Sequence, residues 1–339
     1  MTLMSKVSNR VGIAAPTRPR LRVVRETAQH TAQPTALSEF IGQRQVVFNL
    51  SVEIAAAEMD NRLPGHVLLE GPAGLGKTSL ARAVAARLGV RFVEIPATAL
   101  AKVSDVAKAL AQIGEPADGP CAVFVDEIHG VCLKGELLLL SALQEGWVQP
   151  SGAERLELAP FVMIAATTNP GQLSRPLRER FQIREALDFY AEDELAQVIT
   201  EHARDKNVAL EDGVADVLAT VGRGTPRVAN ALLRRVAAFS RVAGSDCVTG
   251  DDLLEALDHL GIDDYGLEPL DRKIMTALAG LTGPCGIDAL AAQLGLDNDA
   301  VTSREPYLLR SGLLRRGGRG RVLTRAGYRA LGLELVWTP

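Results

Sequence analysis

Two hydrophobic rhythms alternate over the first half of the chain. Apolar runs of five or six residues at 66–70, 91–95, 121–125 and 161–166 have the length of buried strands. Between and before them, apolar positions recur three and four apart at 43–59, 77–88, 102–113 and 134–145, the spacing of one helix face. Strands alternating with helices predict a parallel sheet covered on both sides. From 188 to 262 the strand rhythm stops, and "EDELAQVITEHARD", "VADVLATVG", "PRVANALLRRVAAFSRVA" and "GDDLLEALDHLG" follow one another as helical patterns. They predict a small bundle. Residues 263–339 carry three short helical patterns and then "RRGGRGRVLT", a Gly/Arg turn between strand-like runs. Residues 1–33 mix Pro, Arg, Ser and Thr without periodicity and read as a mobile basic tail. The expected organisation is therefore a tail (1–33), an α/β domain (34–187), a helical domain (188–262) and a small C-terminal domain (263–339).

Composition changes this picture little. The chain is 47% hydrophobic but only 4% aromatic, so its cores are built mainly from Ala, Leu, Val and Ile. Its apolar runs fall far short of the ~20 residues that span a bilayer, and the charged N-terminal residues lack the apolar segment of a secretory signal. Cys121, Cys132, Cys247 and Cys285 have neither metal-ligand nor disulfide-framework spacing, which suits reduced thiols in the cytoplasm. The net charge of −4 is unevenly spread: residues 1–30 carry six Lys/Arg against one acid, and 301–339 carry eight Arg against two acids. A basic C-terminal segment on an acidic body is a candidate nucleic-acid surface, with a solvated charged face as the plain alternative.

The chemistry concentrates at strand ends. "GPAGLGKTS" follows the first strand and opens a helix, fitting G-x-x-x-x-G-K-[ST] from Gly71 to Thr78. Such a loop wraps a phosphate with backbone N–H groups at the positive end of the helix, where side chains would intrude. Gly74, Gly76, Lys77, Thr78 and Ser79 form that cradle, with Lys77 for the β/γ-phosphates and Thr78 for Mg²⁺. "CAVFVDEIH" ends a second buried run in Asp126 and Glu127. Asp126 suits a metal contact, and Glu127 suits a base that takes a proton from the attacking water. "FVMIAATTNP" ends a third run in Thr167 and Thr168, which suit a water- or phosphate-sensing role, with an ordinary Thr-rich strand end as the rival. Beyond it "SRPLRERF" offers Arg175, Arg178 and Arg180, as surface charge or as an arginine finger. Arg227, behind a first-turn Pro226, reads by itself as solvated charge.

The order and wording of "LSEFIGQ", "GPAGLGKTS", "VFVDEIH", "IAATTNPGQLSRPLRERF", "LDFYAEDEL", "RGTPRVANALLRRV", "LDRKIMTAL", "EPYLLRSGLLRR" and "RGRVLT" resemble the RuvB family of AAA+ branch-migration motors, over about 34–333. The resemblance implies a P-loop AAA+ α/β domain, a helical lid and a C-terminal winged helix. It implies ATP and Mg²⁺ as ligands and a homo-oligomeric ring, a hexamer, acting on double-stranded DNA at Holliday junctions. It implies a RuvA-like partner and a cytoplasmic, nucleoid-associated place. By the same resemblance Thr168 is the first sensor, Arg178 the finger with Arg180 as fallback, and Arg227 the second sensor. Ile41 and Tyr190 fall beside the adenine, and Arg316, Arg319 and Arg321 fall on the DNA-touching wing, where Gly317, Gly318 and Gly320 would permit a tight turn.

Two departures stand out. Gln33-Pro34 replaces the family's Arg-Pro, and "GWVQPSGAERLELAPF", with Pro150, is shorter than the hairpin that docks RuvA. These leave open a paralogue with another loading partner, or a clamp-loader-like ATP switch. Stimulation of ATPase by duplex DNA, rather than by a protein partner, separates a motor from a loader.

Overall fold

A computed structural model describes residues 37–96, 100–149 and 154–333. The expected tail at 1–33, Pro34 and Pro150 therefore lie outside the described residues. In the core domain the strands are β1 (Val67–Glu70), β2 (Arg91–Ile95), β3 (Cys121–Val125), β4 (Trp147–Val148), β5 (Leu156–Glu157), β6 (Phe161–Thr167) and β7 (Ile183–Ala186). Five of them form one parallel sheet in the order β2-β3-β6-β1-β7. β4 and β5 pair separately as a short antiparallel hairpin.

Side chains on a strand alternate between faces, and the packing follows that alternation. Leu69, Phe124, Ile164 and Ala166 point to one side, against helices Arg44–Met59 and Lys77–Leu88. Leu68, Val123, Val125 and Met163 point to the other, against helices Val103–Ala111 and Leu133–Glu145. The sheet is buried on both faces, which is why its central strands read as unbroken apolar runs. β7 was not among the predicted strands. It is an edge strand whose Arg184 is exposed and Glu185 only half-buried, so its pattern lacks the apolar run.

The lid helices Glu192–Asp205, Val214–Val221, Pro226–Val242 and Gly250–Leu260 match the four helical patterns. Their apolar faces share one core with the first side of the sheet. The last starts cleanly because Thr249 and Asp252 form a reciprocal capping box, satisfying two of the otherwise unpaired first-turn N–H groups. A two-stranded parallel ladder, β8 (Ala209–Leu210) with β9 (Cys247–Val248), ties the lid together.

The C-terminal module has its own apolar core, built around Ile274, Met275, Leu290, Val301 and Leu308. Five helices (Pro269–Ala279, Ile287–Leu294, Asn298–Thr302, Glu305–Arg310 and Arg325–Ala330) surround a hairpin of β10 (Leu314–Gly317) and β11 (Gly320–Leu323). Cys285 bridges to Arg321 as a third strand-like partner. No helix among the described residues is long and apolar enough to cross a membrane.

One joint gathers pieces of all three modules. Arg223 of the lid, in the left-handed region at φ 57, is nearly buried. Its Nε donates to the Gly266 carbonyl at 2.8 Å and its Nη2 to Asp271 Oδ2 at 2.5 Å, Asp271 being wholly buried. Arg310 of the C-terminal module donates to the Arg223 carbonyl at 2.6 Å, with its guanidinium 3.6 Å from the Phe189 ring centroid at the core–lid connection. The next residue, Tyr190, donates its backbone N–H to Gly224 at 2.9 Å.

Candidate nucleotide site

The parallel sheet decides where ligands bind, at the carboxyl ends of its strands. Helix Lys77–Leu88 begins there, directly after a loop whose Gly71, Gly74 and Gly76 all have positive φ. The bare backbone serves the protein's own packing as well as a phosphate. A Cβ on Gly74 would lie 2.9 Å from both Arg227 Cβ and Thr225 Cγ2, and one on Gly71 would lie 2.5 Å from the Leu187 carbonyl. The lid thus presses on the loop, and the Arg227 N–H donates to the Gly74 carbonyl at 3.3 Å. Arg227 stands at the first turn of its helix beside the loop, so its place is not that of a remote surface charge.

Lys77 is almost fully buried, its Nζ donating to the carbonyls of Gly71 at 2.6 Å and Pro72 at 2.9 Å. Burial draws its ammonium below the ordinary lysine range; Glu127 and Asp126 pull it back up, and Arg227 pushes it further down. Three charges thus bear on the Lys77 ammonium. Thr78 and Ser79 follow on the first turn, half-buried.

Asp126 and Glu127 stand just past the end of β3, with Glu127 in the left-handed region at φ 47. A non-glycine residue in such a conformation is held there by its surroundings. Glu127 Oε2 accepts from the Thr168 N–H at 3.0 Å and the Thr168 hydroxyl at 2.9 Å. The two neighbouring threonines therefore separate: Thr168 faces the carboxylate, whereas Thr167 is fully buried and accepts from the Asn169 N–H at 3.0 Å.

A cleft of about 1340 Å³ opens between core and lid, lined in part by Ile41, Gly76, Ser79, Tyr190, Pro226 and Asn230. Tyr190 donates its hydroxyl to the Leu75 carbonyl at 3.3 Å. Burial pushes its phenol well up, the Glu194 carboxylate adding to the effect. Gly42, at φ +74, lies against the ring; a Cβ there would come within 2.5 Å of Tyr190 Cε1.

The three arginines of "SRPLRERF" differ in their ties. Arg175 is exposed and paired with Glu179 at 2.7 Å. Arg178 Nη2 donates to the Leu173 carbonyl at 3.0 Å, and Arg180 Nη2 to the exposed side chain of Gln144 at 2.7 Å.

On the wing, the three arginines differ in burial. Arg321 is only 6% exposed, and its Nε donates to the buried Glu305 carboxylate beneath the hairpin. Most of its side chain is thus packed beneath the hairpin. The register explains this: Arg316 pairs with Arg321 across the hairpin, so both face Glu305, which Arg316 approaches at 3.7 Å while staying 60% exposed. Arg319 at the tip is exposed, as is Arg315 on the other face, a residue the sequence reading passed over. The turn is tight, Gly317 pairing with Gly320 across it. Gly317 and Gly318 do not occupy the left-handed region; Gly320 does, at φ +130, where a Cβ would collide with the Cys285 carbonyl.

Three family descriptions match in succession. They are the Holliday junction DNA helicase RuvB P-loop domain over residues 32–187, the RuvB AAA lid domain over 190–263 and the RuvB C-terminal winged helix domain over 264–332. The chain belongs to the RuvB family. It is accordingly a P-loop AAA+ ATPase with a lid and a C-terminal winged helix. It is 39% identical over 318 residues to the Holliday junction branch migration complex subunit RuvB of Kosmotoga olearia, covering 91% of this chain and 92% of that one. It is 40% identical over 328 residues to the same-named subunit of Rhodospirillum centenum, covering 94% and 90%. A solved structure of the Thermotoga maritima RuvB Holliday junction branch migration motor superposes with a TM-score of 0.79 at 39% identity, covering 89% of this chain and 99% of that one. His129, given no role by the sequence, lies 3.1 Å from Glu127 Oε2. It sits inside the quoted "VFVDEIH", two positions after Glu127, and its position was the one signal available.

Proposed function

We propose that this RuvB-family chain is an ATP-driven motor that translocates double-stranded DNA as a homo-oligomeric ring, a hexamer, at Holliday junctions in recombination and repair. The observation that supports it best is a convergence. The Lys77 ammonium, the Asp126 and Glu127 carboxylates and the Thr168 hydroxyl meet at the carboxyl ends of three neighbouring strands, with Arg227 brought onto the same loop by the lid.

In this reading Gly74, Gly76, Lys77, Thr78 and Ser79 cradle the phosphates, while Ile41 and Tyr190 flank the adenine in the cleft. Lys77 exchanges its two loop carbonyls for phosphate oxygens. The donor set fits Mg²⁺: Thr78 and Asp126 offer hard oxygens, and no cluster of three or more His, Cys, Asp or Glu side chains forms an all-protein site among the described residues. Thr78 and Asp126 would hold Mg²⁺, which would supply neutralisation of the phosphate charge, a task for which one carboxylate and one hydroxyl suffice. Glu127 takes the proton of the attacking water, Thr168 orients Glu127, and Arg227 reports the γ-phosphate to the lid.

The finger comes from the neighbouring subunit. A finger must leave its resting partner to reach a phosphate. Arg180 rests on an exposed glutamine side chain and Arg178 on a loop carbonyl, so we move the assignment from Arg178, the sequence choice, to Arg180, with Arg178 bracing the loop. Arg316 and Arg319 contact DNA phosphates, a sequence-blind grip suited to a motor. A RuvA-like partner docks at the short β4–β5 hairpin. The setting is the cytoplasm, at the nucleoid.

The test is ATP turnover with and without duplex DNA and a four-way junction. Wild type should be stimulated by DNA alone, Lys77→Ala should lose nucleotide binding, and Glu127→Gln should bind nucleotide without turning it over. Stimulation only by a protein partner would favour a loader instead.

A further inference from the structure

A third group reaches the Glu127 carboxylate. His129 Nδ1 lies 3.1 Å from Glu127 Oε2 and 3.0 Å from Thr167 Oγ1. The chemistry of the ring atom fixes its protonation. A bare Nδ1 lone pair facing a carboxylate oxygen at this distance would be repelled, so Nδ1 carries the proton, which points to the Thr167 hydroxyl oxygen and lies beside the carboxylate. Thr167, wholly buried at the end of β6 and itself bonded to the Asn169 N–H, holds the imidazole in place. The ring is thus pinned between the sheet and the carboxylate.

The consequence concerns which oxygen of Glu127 works. The Thr168 N–H, the Thr168 hydroxyl and His129 all converge on Oε2. Among the described residues no donor reaches Oε1. Two donors and the imidazole on one oxygen fix the carboxylate rotamer on a backbone already held in the left-handed region, leaving Oε1 without a donor. We propose that His129 is a positioning residue for ATP hydrolysis: it clamps Glu127 Oε2, through the buried Thr167, so that Oε1 is presented to the attacking water. This rests on the assignment of Glu127 as the base. A base displaced by about 1 Å loses on the order of 100-fold in rate, so the clamp is worth a readable effect without touching ATP.

The experiment compares His129→Ala, His129→Asn and His129→Leu in the full chain, with Glu127→Gln as reference. The assays are steady-state ATP hydrolysis with saturating duplex DNA, and binding of a fluorescent ADP analogue. An asparagine amide nitrogen occupies nearly the place of Nδ1; leucine fills the volume without a donor. The expected result is a kcat lowered roughly 100-fold in His129→Ala and His129→Leu, with KM for ATP and analogue affinity within about twofold of wild type, and recovery of at least tenfold in His129→Asn. Wild-type kcat in His129→Leu, beside an inactive Glu127→Gln, would overturn the clamp. So would equal losses in all three variants accompanied by loss of analogue binding, which is the mark of a folding role. Wild-type turnover in Glu127→Gln would instead overturn the base assignment, and the clamp with it.

Discussion

Replacing Arg321 with methionine should damage the winged helix before it damages any DNA contact. The guanidinium and the Glu305 carboxylate are both nearly inaccessible, and they pair beneath the β10–β11 hairpin. Removing one partner of a buried pair costs about 3–5 kcal/mol, because the remaining charge is left without compensation. Arg316 offsets part of this, but it is mostly exposed, lies 3.7 Å from Glu305 and is worth at most about 1 kcal/mol. The net loss is then about 2–4 kcal/mol. In a module of this size each kcal/mol moves Tm by about 4–8 °C, so the winged-helix transition should fall by at least about 8 °C. Differential scanning calorimetry of the full chain, with hydrogen exchange at 314–323 to identify the transition, reads it. The double variant Glu305→Leu with Arg321→Met removes both charges and should recover most of the loss, since apolar replacement of a buried pair is often neutral. A Tm unchanged within about 2 °C in Arg321→Met, together with lost DNA binding, would refute the reasoning and return Arg321 to the DNA surface.

The exposed wing arginines should behave oppositely. Arg316→Ala and Arg319→Ala should leave Tm nearly unchanged, weaken duplexes of any sequence alike, and each lower the log–log salt slope by about 0.9, as measured by fluorescence anisotropy. Arg180→Ala should lower ATP turnover by ~10³-fold or more in uniform rings and recover part of it when mixed with Lys77→Ala subunits, while Arg178→Ala should chiefly lower stability; no recovery in confirmed mixed rings would count against a finger acting in trans. Gly42→Ala forces a Cβ into a left-handed position against the Tyr190 ring. It should cost about 1–3 kcal/mol and weaken adenine-nucleotide binding measurably by isothermal titration calorimetry.

Much of the fold is legible because burial writes itself into periodicity. β3 and β6 are covered on both faces and show as unbroken apolar runs, and the lid helices show as stripes with clear ends. β7 escaped because an edge strand need bury only alternate positions. The phosphate loop was legible for a chemical reason, yet its Gly71 and Gly74 also make room for Leu187 and Arg227, which lie more than a hundred residues away and leave no local trace. The same limit hid the fate of Arg321. Its alternation with Arg316 could be counted from the turn, but the acid beneath them comes from another helix, sixteen positions earlier. His129 stood in plain view beside Glu127; its meaning depends on Thr167, brought beside it only by the pairing of β3 with β6.

The joint around Arg223 bears on how such a machine converts chemistry into displacement. Opening it would strip the partner from Asp271, a carboxylate with no access to water, and unstack Arg310 from Phe189. The effective penalty for leaving a buried ion bare is several kcal/mol per ion, a large share of the stability of a small module. The linkage therefore tolerates rotation of the whole far better than extension. A tilt of the lid, however small at Arg227, is carried outward to β10 and β11 as by a crank welded to its arm, and the travel of the wing tip is set by the arm's length instead of by slack in a tether.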